Sequence, residues 1–336
     1  MRISYAPWGE TLDEQVAAAV DAEAAGFAAV WVSELTRSAF VPATAIARAT
    51  RTAGVGTAIA LAFVRSPLTT ALSALDLDEA SGGRFVLGLG SGVQRLNEDW
   101  HNARFGRAVP HLRETVAAVR TIVASAHLGR PIESEGEYEA VRIRGWERPS
   151  PPVRERIPVY LAGVGDAMCR LAGEIGDGWL GHELGSTRYL AERIVPNLHQ
   201  GLVRGARARG DLAVVPSAVC MIDRDGRQAR RLAAGLVAFY ATVRTYRDFF
   251  AWHGFEQEAA LIGERFRAGD RNGMTNACTD EMVDALALAG TAGEVRKRLA
   301  EYEGIADGLK LSPPTHIVPA EVTRAAQRAI LEHLAP

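Results

Sequence analysis

The residues able to do chemistry cluster at the ends of short apolar runs. The clearest case is Leu161-Ala162-Gly163-Val164-Gly165-Asp166, where such a run meets two glycines and then a helical pattern. Backbone N–H groups at a glycine turn, joined to a helix amino end, form an anion site, most naturally for a phosphate. A turn that needs glycine for conformation alone would read the same way, and Asp166 would repel an anion if it faced the turn. His182 closes the run Gly178–His182. Its imidazole is either a proton carrier or a hydrogen-bonded structural residue. Glu34 follows Val30-Trp31-Val32-Ser33. An unpaired carboxylate is costly to bury, so it is either solvated or aimed into a pocket. The run Ser81–Gly92 (SGGRFVLGLGSG) ends in glycines at every second position, where a backbone or a ligand can come close.

Other chemistries find little support. No His, Asp or Glu cluster has metal-ligand spacing, so no metal is expected. Gly88-Leu89-Gly90-Ser91-Gly92 places Ser91 one residue away from a nucleophile-elbow match. Glu98, Asp99 and His101 fall in a polar turn expected to face solvent.

The elements that must position these residues alternate strongly. Strands are expected at Ile3–Trp8, Ala28–Val32, Val55–Leu61, Phe85–Gly90, Pro158–Gly163, Gly178–His182, Ala213–Ile222 and Gly308–Leu311. Helices are expected between them, among them one capped by Thr11 and one opening at Pro67. Ile132–Ile143 reads as a small hairpin. The aromatic-rich stretch 238–280 (Phe239, Tyr240, Tyr246, Phe249, Phe250, Trp252, Phe255) reads as a helical insertion after the seventh strand. It is either a substrate lid or a packed apolar patch.

Eight short strands alternating with helices predict an α/β protein, a (β/α)8 TIM barrel in a single domain over residues 1–336. Insertions are expected near 129–151 and 238–280. A doubly wound sheet is the competitor, but no G-x-G-x-x-G turn follows the first strand. On a barrel the functional residues follow the strands. That selects Trp8, Glu34, Ala58 and Ile59, Ser91 and Gly92 with Gln94 and Asn97, Gly163 to Gly165, His182 with Glu183, and Ser312.

Bulk properties narrow the partners. The chain is 48% hydrophobic and 23% charged, with a net charge of −2, which gives no pull toward nucleic acid or a membrane surface. Cys169, Cys220 and Cys278 lie far apart and suggest a reducing compartment. No apolar run approaches the ~18 residues of a membrane span. The first residues enter a strand without a signal-peptide pattern, so a cytoplasmic setting is expected.

Taken in order, Ala19–Glu34 (AVDAEAAGFAAVWVSE), Val55–Ala74, Asp78–Gly92, Pro158–Leu180 and Gly290–Leu299 resemble the luciferase-like superfamily of flavin and deazaflavin enzymes. The resemblance covers nearly the whole chain. Ala162-Gly163-Val164-Gly165, Arg188-Tyr189-Leu190, Tyr246-Arg247 and Thr279-Asp280-Glu281-Met282 are most similar to its coenzyme F420-dependent branch. The resemblance implies a luciferase-like barrel with a non-proline cis peptide at Ala58-Ile59 behind the deazaflavin ring, and Glu34 near that ring. Ala162, Gly163, Val164 and Gly165 would hold the cofactor phosphate, with Ser91, Gly92 and His182 lining the cofactor. Trp8, Gln94, Asn97, Tyr246 and Arg247 would face a small-molecule substrate. His182, Tyr246, His253 and Glu34 are the implied catalytic groups, and a homodimer is expected.

Two departures bear on the reaction. Sugar-phosphate dehydrogenases of the branch have a His after the strand-two acid, where this chain has Leu35, and a carboxylate after the strand-four glycines, where it has Val93. Hydride transfer from reduced F420 to a C=C or C=N bond fits these losses better than alcohol oxidation. An FMN-dependent monooxygenase and a flavin-free, non-catalytic member of the superfamily are the alternatives.

Overall fold

The computed structural model describes residues 1–336. Its strands are β1 (Arg2–Tyr5), β2 (Ala29–Val32), β3 (Gly54–Thr57), β4 (Ala60–Leu61), β5 (Phe85–Gly90), β6 (Ile132–Ser134), β7 (Val141–Ile143), β8 (Val159–Ala162), β9 (Gly178–Leu180), β10 (Ala213–Val215), β11 (Ser217–Ile222), β12 (Leu288–Gly290) and β13 (Gly308–Ser312). The chain divides into two compact units. The first comprises Met1–Phe27, His182–Ala191 and Pro216–Pro336, and the second Ala28–Gly181 and Glu192–Val215.

In the second unit the strands run in the order β10-β9-β8-β5-β3-β2, all parallel, with β4 also on β5. The first unit orders its strands β1-β13-β11-β12, again all parallel. Parallel pairing needs long crossovers, and helices supply them. One is Pro67–Ala80, whose start is local chemistry: Ser66 Oγ accepts the Thr69 N–H at 3.1 Å and Pro67 opens the first turn. The hairpin forms from β6 and β7, antiparallel, with Glu133 opposite Arg142.

Three details differ from the expected strands. The third is interrupted at Ala58-Ile59 and resumes as β4. The seventh breaks at Pro216, which has no N–H for a ladder, into β10 on β9 and β11 on β13. The short β12 was not anticipated; Leu-Ala-Gly carries no β-branched or alternating signal. The helical stretch after the sixth strand, Thr187–Arg204, holds a π segment, Leu190–Ile194, just before Val195-Pro196.

Close approaches fix the second unit around its strand ends. A Cβ on Gly88 would lie 1.7 Å from the Thr57 carbonyl oxygen. Helices Asp166–Ile175 and Val195–Arg204 meet through two glycines: a Cβ on Gly173 would lie 2.1 Å from Leu198 O, and one on Gly201 2.0 Å from Arg170 O. The helix that follows the glycine turn is thereby seated backbone to backbone.

Gly88→Ala should lower stability by about 1–3 kcal/mol, because β5 and β3 must part to admit the methyl group. Urea midpoints of the two proteins measure this, and an unchanged midpoint would contradict the close approach.

Candidate active site

In the second unit the break between β3 and β4 is built from specific contacts. The Ala58-Ile59 peptide is cis. Thr57 Oγ1 donates to the Gly88 carbonyl at 2.7 Å and accepts the Gly88 N–H at 2.9 Å, standing in for the missing ladder bonds. Glu34 holds the far side of the break. Its N–H donates to Ile59 O at 3.1 Å, and its Oε2 accepts the Leu61 N–H at 2.8 Å. Arg65 bridges both carboxylate oxygens, and the Glu34 side chain is only 6% exposed. Such a fork-to-fork pair both answers the buried charge and fixes its direction.

The glycine turn follows β8. Gly163 is tightly packed, with Cys169 N 3.1 Å from the place of a Cβ, and its carbonyl accepts the Trp179 indole N–H at 2.8 Å. Gly165 differs. Its φ of −83° and ψ of 154° suit any residue, yet no atom lies within 4 Å of a Cβ placed there. Neither conformation nor packing calls for glycine at 165; open space stands at the amino end of helix Asp166–Ile175. Asp166 is answered by Arg193, at 2.9 and 3.1 Å. The turn therefore presents N–H groups and a helix dipole without an uncompensated carboxylate.

Beyond β5, the glycines do structural work. Gly92 has φ +62°, and Leu61 Cδ2 lies 2.6 Å from the place of a Cβ. Asn97 is buried and donates to the carbonyls of Ser91 (2.8 Å) and Val93 (3.0 Å), which folds the loop back; its Oδ1 has no partner. Gln94 is exposed and bonded to Glu98. Leu35 and Val93 are exposed apolar residues.

The first unit gathers a separate set of polar groups. His182 Nδ1 accepts the Leu184 N–H at 3.1 Å, which leaves the ring proton on Nε2. Burial, with lesser effects of Lys310 and His316, pushes its pKa down to about 3. His182 is thus a neutral hydrogen-bond donor and a poor acid at neutral pH. Tyr246 and Tyr240 each have their ring centroids 4.5 Å from it. The Tyr240 hydroxyl engages Glu183, and burial raises the pKa of both tyrosines, so they stay protonated. Lys310, on β13, is 5% exposed and interacts with Glu183. Ser312, two residues further on, is buried with no partner for its Oγ.

The remaining expected residues of this unit lie in other settings. Trp8 is clamped by Gln327, which accepts its N–H at 2.9 Å and donates to its carbonyl at 3.1 Å. His253 spends both ring nitrogens on its neighbours: Nδ1 on Phe249 O and Nε2 on Ser186 Oγ, each at 2.8 Å. It belongs to an aromatic cluster, stacked with Tyr189 and Phe255 and edge-on to Trp252. Arg247 is exposed at the start of a short helix. His182 and Tyr246 are therefore brought together, and His253 is not joined to them by any contact.

The sequence did not single out Arg65, Trp179 or Lys310, and marked Tyr240 only as part of the aromatic stretch. Lys310 alone carried a signal, as a charge in the middle of an apolar strand. No group of three or more His, Cys, Asp or Glu residues is placed to hold a metal. The three cysteines are buried and free, with pKa values pushed up to about 12, so none is a ready nucleophile.

The parallel α/β architecture and its strand-end site define a class, and comparison with known proteins identifies it. The chain matches the model of the luciferase-like monooxygenase family over residues 2–307. It is 33% identical over 311 residues to an uncharacterized protein of Mycobacterium tuberculosis, covering 88% of this chain and 90% of that one. It is 28% identical over 291 residues to the 5,10-methylenetetrahydromethanopterin reductase of Archaeoglobus fulgidus, covering 83% of each. Its fold is that of the coenzyme F420-dependent tetrahydromethanopterin reductase of Methanopyrus kandleri, with a TM-score of 0.84 at 22% identity over 99% of this chain and 97% of that one. The chain belongs to the luciferase-like monooxygenase family.

The state of His182 has a measurable consequence. Its folded pKa, about 3, lies below the ordinary 6.5, so the unfolded chain binds more protons between these values. Stability from this group is complete above pH 6.5 and falls as pH drops toward 3. His182→Gln should lose less stability than wild type over that interval in urea titrations, while His253 and His316, also lowered, still contribute. Parallel losses in the two proteins would show that His182 is not held neutral.

Proposed function

We propose that the protein is a coenzyme F420-dependent oxidoreductase that transfers a hydride between the deazaflavin and a small organic substrate, in the direction of C=C or C=N reduction. The carrying observation is the turn at Gly165, open in front of a helix amino end whose own carboxylate is paired with Arg193. This suits a phosphate-bearing cofactor. The reductase named among the relatives supports the choice of F420. The proposal includes the eight-stranded barrel with residues 238–280 as its insertion, a homodimer, and a cytoplasmic setting; no helix is long and apolar enough to cross a membrane.

In this assignment Ala162, Gly163, Val164 and Gly165 hold the phosphate, while Ala58, Ile59, Ser91 and Gly92 border the ring. Bound F420 supplies the hydride chemistry. Glu34 acts by position, since both its oxygens are committed to Arg65 and backbone N–H groups. His182 offers its Nε2–H as a hydrogen-bond donor, and Tyr246 stands beside it. Trp8, Gln94, Asn97 and Arg247 are assigned to the substrate side. The exposed Leu35 and Val93 offer no base for alcohol oxidation, which favours the reductive direction. An FMN-dependent monooxygenase is the second reading, favoured by the description of the family itself.

Fluorescence titration of the purified protein with F420 and with FMN separates the two. Binding of F420 and indifference to FMN is expected; the reverse would overturn the assignment. Gly165→Ala should keep or slightly raise stability, by about 0.4–1 kcal/mol, since its backbone suits alanine. Gly165→Glu should weaken F420 binding at least about tenfold, a cost of about 1.4 kcal/mol. An unchanged Kd in the glutamate variant would remove the phosphate from this turn.

A further inference from the structure

Within the second unit, a cavity of about 200 Å³ lies between helices Pro67–Ala80 and Ala108–Ser125 and strands β5 and β8. The chain itself accounts for its place. On helix Ala108–Ser125, Val119, Arg120, Val123 and Ala124 are spaced one and four apart and so lie along one side. On the strands, Leu87 and Val159 are register partners and share a face. Ala74 and Ala124 supply only methyl groups where longer side chains would close the space. The cavity adjoins Val159, the first residue of β8, whereas the glycine turn follows the last. Voids of this size are few in protein interiors, which are packed as densely as organic crystals.

The walls are mostly aliphatic, but a guanidinium is set among them. Arg120 donates from Nη2 to Asp177 Oδ2 at 2.9 Å, while its Nε is buried and has no partner. Buried N–H donors are almost always bonded, so an unpaired one on a side chain that lines a cavity calls for an acceptor there. Asp177 is already engaged: Oδ1 accepts from Arg156, and Oδ2 accepts the Val159 N–H at 2.8 Å as well as Arg120. Two guanidiniums thus share one carboxylate, and positive charge is left over at the cavity. Glu155 also borders it but is exposed, where water and salt screen its charge. Burial holds the Arg120 pKa below its ordinary value; Asp177 opposes this, and Arg156 and Arg207 add to it. A second anion beside Arg120 would oppose it further.

We propose that this cavity binds a small apolar monocarboxylate of the size of benzoate, its carboxylate on Arg120 and its hydrocarbon part between Leu87, Val119, Val123 and Val159. The size follows from the volume. An apolar cavity of about 150 Å³ accommodates a benzene ring, and the remainder here leaves room for one carboxylate. The charge follows from Arg120, whose planar fork matches the two oxygens of a carboxylate. The site stands independently of the cofactor assignment.

Calorimetric titration of the protein with benzoate, and with benzamide as an uncharged molecule of the same shape, tests the site. Benzoate should bind, and benzamide should bind at least about tenfold more weakly. Arg120→Met should weaken benzoate binding about 10–100-fold. Asp177 keeps Arg156 and the Val159 N–H in that variant, so no buried charge is stranded. Ala124→Leu, at an exposed position of the helix, should fill the cavity and abolish binding with an unchanged urea midpoint. Equal binding of benzoate and benzamide would overturn the carboxylate assignment. Undiminished binding in Ala124→Leu would place benzoate elsewhere and overturn the site. Failure of benzoate to bind at millimolar concentration would overturn both. Should Arg120→Met not fold, the comparison of the two probes and the Ala124→Leu variant still decide.

Discussion

The carboxylate of Glu34 is the contact on which the second unit's strand ends depend. A strand interrupted at Ala58-Ile59 exposes ladder groups that a sheet normally pairs, and buried backbone polar groups must find partners. Glu34 answers from one side, through its own N–H on Ile59 O and its oxygens on Leu61 N–H. Thr57 Oγ1 answers from the other, exchanging two hydrogen bonds with Gly88. Arg65 then makes it possible to bury the charge at all. Because a charge-assisted pair is directional, the segment is held as a fixed wall. A wall of this kind can present backbone to a flat ligand without side chains in between.

A different constraint governs the first unit. Its polar groups are sorted by what burial does to each. His182 is denied its proton, whereas Tyr240 and Tyr246 are denied the loss of theirs. All three then serve as neutral donors over the ordinary pH range. His253, a few residues from Tyr246 in sequence, is instead consumed by the packing of Ser186 and Phe249. The unit thus separates histidines that look alike in sequence into a donor facing other polar groups and a tie between segments.

How much of this was legible depended on whether the cause was local. The start of helix Pro67–Ala80 was legible because Pro67 itself opens its first turn, and the structure adds Ser66 as its cap. The glycine turn was visible as a motif, but its purpose was not. Only the structure separates Gly163, required by packing against Cys169, from Gly165, required by nothing in the chain. At Gly88 and Gly92 the spacing left open what comes close: at Gly88 it is the Thr57 backbone carbonyl, and at Gly92 the Leu61 side chain. The partners of Glu34 and the tautomer of His182 depend on residues distant in sequence or on backbone geometry, which periodicity does not encode.

The contrast between Arg65 and Lys310 shows why two buried cations of the same sign are not interchangeable. Arg65 meets a carboxylate whose two oxygens lie in the plane of its fork, and its charge is permanent, so the pair is a fixed strut. Lys310 interacts with Glu183 without such a fork, in register with Ser217 and with Ser4, whose hydroxyl already donates to Leu309 O at 3.2 Å. Desolvation lowers its pKa and the Glu183 carboxylate opposes that effect, so its charge depends on what surrounds it, whereas the guanidinium of Arg65 is charged whatever surrounds it.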